Sequence, residues 1–160
     1  MRGTTMRGTR ITVSTCAMMI AITGLGFAQE KKIERSALPA AVAKTVEQET
    51  KGATIKGFST EREHGKTVYE AETMVGGHTR DIQIAPDGTL NEVEEEVAFD
   101  TLPNSVKQGL TAKAAGAKIT KVESLTKGGR LVAYEAATVR GAKRGEVQVG
   151  PEGGQLAHAE

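Results

Sequence analysis

The chain has 160 residues, with 21 lysines and arginines against 20 aspartates and glutamates, and its aromatic residues are three Phe and two Tyr. No basic patch interleaves with aromatic residues, which argues against a nucleic-acid-binding protein. The length suits one domain or two very small ones, with a thin core of Val, Ile, Leu and Ala.

Residues 1–28 have the three zones of a secretory signal peptide. Three arginines and no acidic residue open the chain, and residues 11–27 are nearly free of charge. Small residues, Gly26 and Ala28, stand at the two positions that signal peptidase reads. We therefore expect cleavage after Ala28 and a mature protein that is periplasmic or secreted and does not span the membrane.

The same segment leaves two alternatives to simple cleavage. Its apolar run is about 17 residues long, at the lower limit for crossing a bilayer, so an uncleaved anchor is the competing interpretation. Cys16, the single cysteine, is an alternative lipid-attachment site, but the Thr before it and the apolar sequence beyond it favour an ordinary leader residue. Without the leader the chain has no cysteine, which excludes disulfides, thiolate catalysis and Cys-based metal sites.

The remaining sequence repeats itself. Three pairs of short motifs match at an offset of 64 or 65: residues 38–42 with 102–106, 52–55 with 116–119, and 69–73 with 134–138. We therefore predict a signal peptide over residues 1–28, a first unit over 29–97 and a second unit over 98–160.

Each unit is predicted to be one helix followed by four short strands. Val42 and Val46 lie four residues apart, as do Val106 and Leu110 in the second copy, so each pair lies on one helical face. Glycines and prolines with turn-forming spacing divide the rest of each unit into strands. The expected fold class is α+β, with two tandem units that each pack one helix on a four-stranded antiparallel sheet.

A two-residue loop after residue 75, and its copy after residue 140, would fix the register of one hairpin in each unit. The predicted pairs are Tyr69 with Ile84 and Glu70 with Gln83 in the first unit, and Tyr134 with Val149 and Glu135 with Gln148 in the second. The tyrosine pairs then share a buried face, and the Glu–Gln pairs share an open face.

The sequence contains no recognisable catalytic, cofactor or metal site. A nucleophile elbow, a phosphate loop, an HExxH motif and an Asp-rich calcium loop are all missing. The three histidines, His64, His78 and His158, are not spaced as metal ligands. We therefore expect a protein that is not an enzyme and that has no cofactor.

The acidic residues of the first unit leave cation binding open as an alternative. Glu72 falls opposite Asp81 on the open face, where facing like charges are unfavourable. A cation, a basic partner or exposure to water would relieve them. We interpret the acidic run within residues 92–96 as a solvated or edge-protecting strand rather than a cation site.

Charge is distributed unevenly between the two copies. Residues 29–100 carry a formal charge of −6, and residues 101–160 carry +4. We interpret the difference either as drift between duplicated copies or as an attraction that helps the units dock or align with a partner.

The motifs resemble those of the PepSY and PepSY-like domains. The matching patterns are Leu-Pro-x-x-Val opening a helix, Gly-Ala-x-Ile before the strands, Gly-Lys-x-x-Tyr-Glu at a hairpin, and Pro-Asp-Gly-x-Leu before the last strand. The resemblance covers residues 38–97 and 102–160. It implies a fold similar to the tandem units of the β-lactamase inhibitory protein, an exported or envelope location, no catalytic residues, and regulatory or inhibitory binding of proteins, peptidases among them. The aromatic-Pro pair often found before the Gly-Ala step is missing here.

Together these observations predict an exported, non-catalytic module that binds or inhibits a protein or peptide in the cell envelope. Cation binding by the acidic face of the first unit is the alternative. The expected partner-binding residues share the open sheet face: Glu70, Glu72, Gln83, Glu135 and Gln148.

Overall fold

The structure is a computed structural model that describes residues 30–63 and 65–160. The predicted leader, its cleavage position after Ala28, Cys16 and His64 lie outside the described residues. Within the described ranges, no helix is long and apolar enough to cross a membrane.

The described chain forms eight strands and two α-helices, with short 3-10 turns at Arg35–Ala37 and Phe99–Thr101. In chain order the elements are β1 (Lys31–Ile33), α1 (Ala40–Glu49), β2 (Thr54–Glu63), β3 (Lys66–Val75), β4 (His78–Ile84), β5 (Leu90–Glu96), α2 (Asn104–Ala114), β6 (Lys118–Lys127), β7 (Arg130–Arg140) and β8 (Lys143–Val149). All neighbouring strands are antiparallel, and their order in the sheet is their order in the chain.

The predicted fold class, two units that each pack one helix on their own four-stranded sheet, is wrong. The strands form one continuous eight-stranded sheet, in which β5 pairs with β6 from Glu92–Lys127 to Glu96–Glu123. The second copy contributes three strands to this sheet, β6 to β8. A physical reason is that β5 would otherwise leave a row of unpaired backbone groups, which β6 satisfies. The division between residues 97 and 98 stays a prediction.

The predicted hairpin registers are confirmed. Tyr69 pairs with Ile84 and Glu70 with Gln83 in the first copy. In the second copy, the pairs are Tyr134 with Val149 and Glu135 with Gln148. The two-residue loops with positive-φ glycines therefore set the side-chain alternation of both hairpins, as expected for tight turns.

Each helix covers a separate apolar cluster on the sheet. Val42 and Val46 of α1 are buried in a cluster that includes Phe58, Ala71 and Ile82. In the second copy, the corresponding cluster joins α2 to β6, β7 and β8 through Val106, Leu110, Val122, Ala136 and Val149. Tyr69 and Tyr134 pack against these clusters on the predicted buried face, and both are partly buried.

A turn after the third long strand of each copy docks on the start of the preceding helix. In the first copy, the Thr45 hydroxyl donates a hydrogen bond of 2.6 Å to the Gly88 carbonyl. Gly109 stands at the position equivalent to Thr45, and a side chain there would collide with the Gly153 carbonyl. The second turn therefore lies closer to its helix than the first.

Thr45→Val is expected to lower the free energy of unfolding by about 1 kcal/mol. Valine keeps the shape of threonine but cannot donate to Gly88, and a typical intramolecular hydrogen bond contributes about this much. Urea denaturation would measure the difference. Thr45→Ser, which retains the hydroxyl, is the matched control, and equal losses in both variants would contradict a role for this hydrogen bond.

Candidate functional site

The face of the sheet opposite the helices is covered with carboxylates. Strand alternation and pairing place eight of them on the strands β3 to β7, and we name this set the acidic face: Glu70, Glu72, Asp81, Glu92, Glu94, Glu96, Glu123 and Glu135. The carboxylates are closely spaced because those of β5 have further acidic residues beside them on β4 and β6. Cross-strand like charges at this spacing repel one another.

Glu94 lies at the centre of the acidic face. It pairs with Asp81 on one side and with Leu125 on the other. Burial, followed by the charges of Glu123, Glu92, Glu135 and Glu70, raises the pKa of Glu94 from 4.5 to about 8. All of these effects disfavour the charged carboxylate. The protonated form of Glu94 is therefore favoured near neutral pH.

Glu70 and Glu135 lie towards opposite ends of the acidic face. Burial raises the pKa of each to about 7, although each also accepts a stabilising hydrogen bond. Ser59 donates to Glu70 over 3.1 Å, and the Gln148 side chain donates to Glu135 over 2.6 Å. These donors hold the carboxylates in place but do not neutralise them.

Two lysines of β6 supply the nearby positive charge. Lys121 Nζ lies 2.7 Å from Glu123 Oε1, and Lys127 Nζ lies 3.3 Å from Glu92 Oε2. Burial nevertheless keeps the pKa of Glu92 above its ordinary value, and burial likewise raises the pKa of Asp81. The acidic face therefore has more carboxylates than cations to pair with them.

The structure brings the predicted site residues onto one surface but in separate groups. Glu70 and Gln83 are backbone neighbours without a hydrogen bond between their side chains, because the Gln83 amide donates instead to Glu61 over 3.3 Å. Glu135 and Gln148 do form the side-chain hydrogen bond that their pairing suggests. Glu72 lies beside Gly57, near the β2 side of the sheet.

The acidic run of β5 is not an edge strand, contrary to the expectation from the sequence. β5 lies in the interior of the sheet, between β4 and β6. Glu94 therefore lies beside Asp81, and Glu92 lies between Gln83 and Lys127, rather than along an exposed edge. Sequence reasoning missed the site roles of Glu94 and Glu123 because their mutual approach depends on the pairing of β5 with β6.

The alternative of a cation site gains no support from the geometry. Among the described residues, no group of three or more His, Cys, Asp or Glu side chains is arranged to hold a metal ion. The carboxylates are spread along a sheet surface, whereas a cation such as Ca²⁺ requires six to eight oxygens converging on one point. The arrangement is better suited to several separate positive groups on one extended ligand.

Comparison with solved structures finds the same fold in several bacterial proteins. A protein from Bacteroides eggerthii, described as a candidate periplasmic protein, has a TM-score of 0.60 and 13% identity, over 73% of this chain and 84% of that chain. A DUF2874 family protein from Bacteroides ovatus has a TM-score of 0.57 and 15% identity, over 73% and 83%. A BLIP-like protein from Bacteroides fragilis has a TM-score of 0.55 and 17% identity, over 74% and 83%.

No family model matches the chain, and the search of curated proteins found no match. The resemblance to PepSY domains therefore stays a prediction. The expected likeness in fold to the β-lactamase inhibitory protein is supported by the BLIP-like neighbour. At these identities the similarity shows that the chain shares the fold of the Bacteroides proteins.

Proposed function

We propose that this chain is an exported, non-catalytic module that binds a basic segment of another protein or peptide in the cell envelope through the open face of its sheet. The observation that supports this function most is the environment of Glu94. Glu94 is a partly buried carboxylate. Burial is the largest cause of its raised pKa, and the charges of four other carboxylates raise that pKa further. A lysine or arginine of a partner beside Glu94 would favour its charged form and pair with it.

The shape of the surface supports a macromolecular ligand over a small one. The acidic face spans five strands, and neighbouring strands lie about 4.8 Å apart, so its charges extend over roughly 20 Å. Small-molecule sites are concave and mostly apolar, unlike this surface. A protein or peptide segment can contact several of these carboxylates at once.

The location and the kind of partner are supported by the structural neighbours. The Bacteroides eggerthii protein is described as a candidate periplasmic protein, which agrees with the three-zone leader of this chain. The Bacteroides fragilis protein is described as BLIP-like. Inhibition of an envelope enzyme is therefore the specific form of binding that we propose to test first.

Charge reversal at both ends of the acidic face tests the proposal. Glu70→Lys combined with Glu135→Lys is expected to weaken binding of the envelope partner at least tenfold, because two attractive contacts become repulsive. The partner would first be recovered by crosslinking from the native envelope, and calorimetry with the purified partner would then compare the two proteins. The variant is expected to stay folded, since each lysine enters a cluster of carboxylates.

A matched control changes the same net charge away from the acidic face. Glu47→Lys with Glu152→Lys alters two exposed acids, one on α1 and one in the turn after β8. Its partner affinity should differ little from that of the natural chain. Equal losses of affinity in both double variants would mean that only the net charge of the protein matters. Unchanged affinity in the Glu70→Lys and Glu135→Lys variant would exclude the acidic face as the binding surface.

A further inference from the structure

The two copies share a turn, but the chain takes a different course after it in each copy. In the first copy, the Ala85 amide donates to the Thr89 carbonyl over 2.8 Å, and the chain continues as β5 beside β4. In the second copy, the equivalent bond from Gly150 to Gly154 is also 2.8 Å. The residues after it, 155–160, form no strand beside β8 in the described chain, and we name them the strap.

The strap reaches onto the open face of the sheet. The Glu160 amide donates to Gln148 Oε1 over 2.9 Å, and Gln148 Nε2 donates to a main-chain oxygen of Glu160 over 3.4 Å. The Glu160 carboxylate also lies 3.6 Å from Lys127 Nζ. The two residues that hold Glu160, Gln148 and Lys127, lie on the same side of the sheet as the acidic face, because Gln148 pairs with Glu135 and Lys127 pairs with Glu92.

An apolar contact accompanies these polar ones. Leu156 Cδ2 lies 3.4 Å from where a Cβ would stand on Gly150. Leu125 and Ala133, which pair on the same open face, are 2% and 0% exposed although the helices lie on the opposite side of the sheet. The strap side of the open face therefore also carries two apolar residues that are covered from solvent.

We propose that the strap occupies the β7–β8 end of the binding face and must leave when the partner binds. This inference rests on the proposed function of the open face. The partner is an extended peptide segment with lysine or arginine side chains. Gln148 contacts the backbone of the strap through one donor and one acceptor, a contact that any extended segment can reproduce whatever its sequence.

The charges explain why a partner would displace the strap. Glu160 brings another carboxylate to an already acidic surface, and its charge adds to those that raise the pKa of Glu92. A basic segment would keep the main-chain contact with Gln148 and would replace this repulsion by attraction to Glu92 and Glu135. The strap therefore competes through its ion pair with Lys127 and its main-chain contact with Gln148 alone.

Peptide binding to a chain that lacks residues 155–160 tests the competition. The probe is an eight-residue peptide of alternating lysine and threonine with blocked ends, and calorimetry measures its Kd for the natural and the shortened chain. Removing the strap is expected to tighten binding about tenfold if the strap covers the face roughly nine-tenths of the time. The shortened chain also loses the Glu160 charge, so the reference for the comparison is the full-length Glu160→Gln chain, which lacks that charge but keeps the main-chain contact of the strap with Gln148.

The outcomes separate this inference from the proposed function. Tighter binding to the shortened chain supports both. Equal or weaker binding to the shortened chain would contradict competition by the strap and would leave the proposed function of the open face intact. Absence of binding to both chains overturns the peptide-binding function, and the competition with it.

The position of the strap is testable without any peptide. A nitroxide attached at Ala157→Cys, in a chain with Cys16→Ser, should broaden the side-chain amide signals of Gln148 in the NMR spectrum. The same label on Glu47→Cys, on the exposed side of α1 and several strands away, is the control and should leave them sharp. Sharp Gln148 signals with the Ala157 label would show that the strap does not lie on the open face.

Discussion

Gly153→Ala is expected to lower the free energy of unfolding by about 3 kcal/mol or more. Gly153 has φ of +81°, where an L side chain costs about 1–2 kcal/mol. Its added methyl group would also collide with the Ser105 carbonyl at the start of α2. Overpacking of this kind costs about 1–3 kcal/mol, so the two effects add to a large fraction of the stability of a small protein.

A substitution at a second glycine measures the cost of backbone strain without the cost of a collision. Gly141 has φ of +60° and nothing within 4 Å of its would-be Cβ, so Gly141→Ala should cost only about 1 kcal/mol. Urea denaturation of both variants gives the comparison. Equal costs at the two positions would mean that the turn does not dock on α2 as closely as the structure shows.

The second large effect is a loss of stability as the pH rises through neutrality. The folded chain raises the pKa of Glu94 to about 8 and those of Glu70 and Glu135 to about 7. Between pH 4.5 and 8 the folded state therefore binds more protons than the unfolded state, and unfolding releases them. Stability is then highest below pH 4.5 with respect to these groups and falls until about pH 8.

Glu94→Gln tests this dependence at the centre of the acidic face. Glutamine stays neutral, so the variant should be more stable than the natural chain at pH 8.5 by about 1–2 kcal/mol, a figure reduced because water reaches this partly buried group. At pH 4.5 the two proteins should be nearly equal. Denaturation at both pH values measures the difference, with Glu47→Gln on the exposed side of α1 as control.

A pH-independent difference between Glu94→Gln and the natural chain would contradict the raised pKa. Increasing stability of the natural chain from pH 5 to pH 8 would contradict it more strongly. Salt is expected to reduce the slope of the free energy of unfolding against pH, because it screens the repulsion among the carboxylates.

Local features of this fold could be predicted from the sequence. The helical spacing of Val106 and Leu110 placed both side chains in the core, where each is fully buried. The two-residue loop at Gly76-Gly77 sets strand alternation, and hence the side of the sheet on which Glu70 and Gln83 lie.

The junction between the copies could not be predicted, because it depends on pairing between distant segments. β5 and β6 are separated by a 3-10 turn and all of α2, and no local pattern records that they pair. The neighbours of Glu94 depend on this pairing, so the centre of the candidate site was missed as well. The strap depends on a side-chain contact with Gln148 that has no signature in sequence periodicity.

Site-specific photocrosslinking in the native envelope tests the role of the open face most directly. A photoreactive amino acid at Gln83 lies on the open face, and one at Gln108 lies on the exposed side of α2. We expect a discrete crosslinked product from position 83, reduced by the Glu70→Lys and Glu135→Lys pair, and none from position 108. A product from position 108 alone would place the binding surface on the helices and contradict the account.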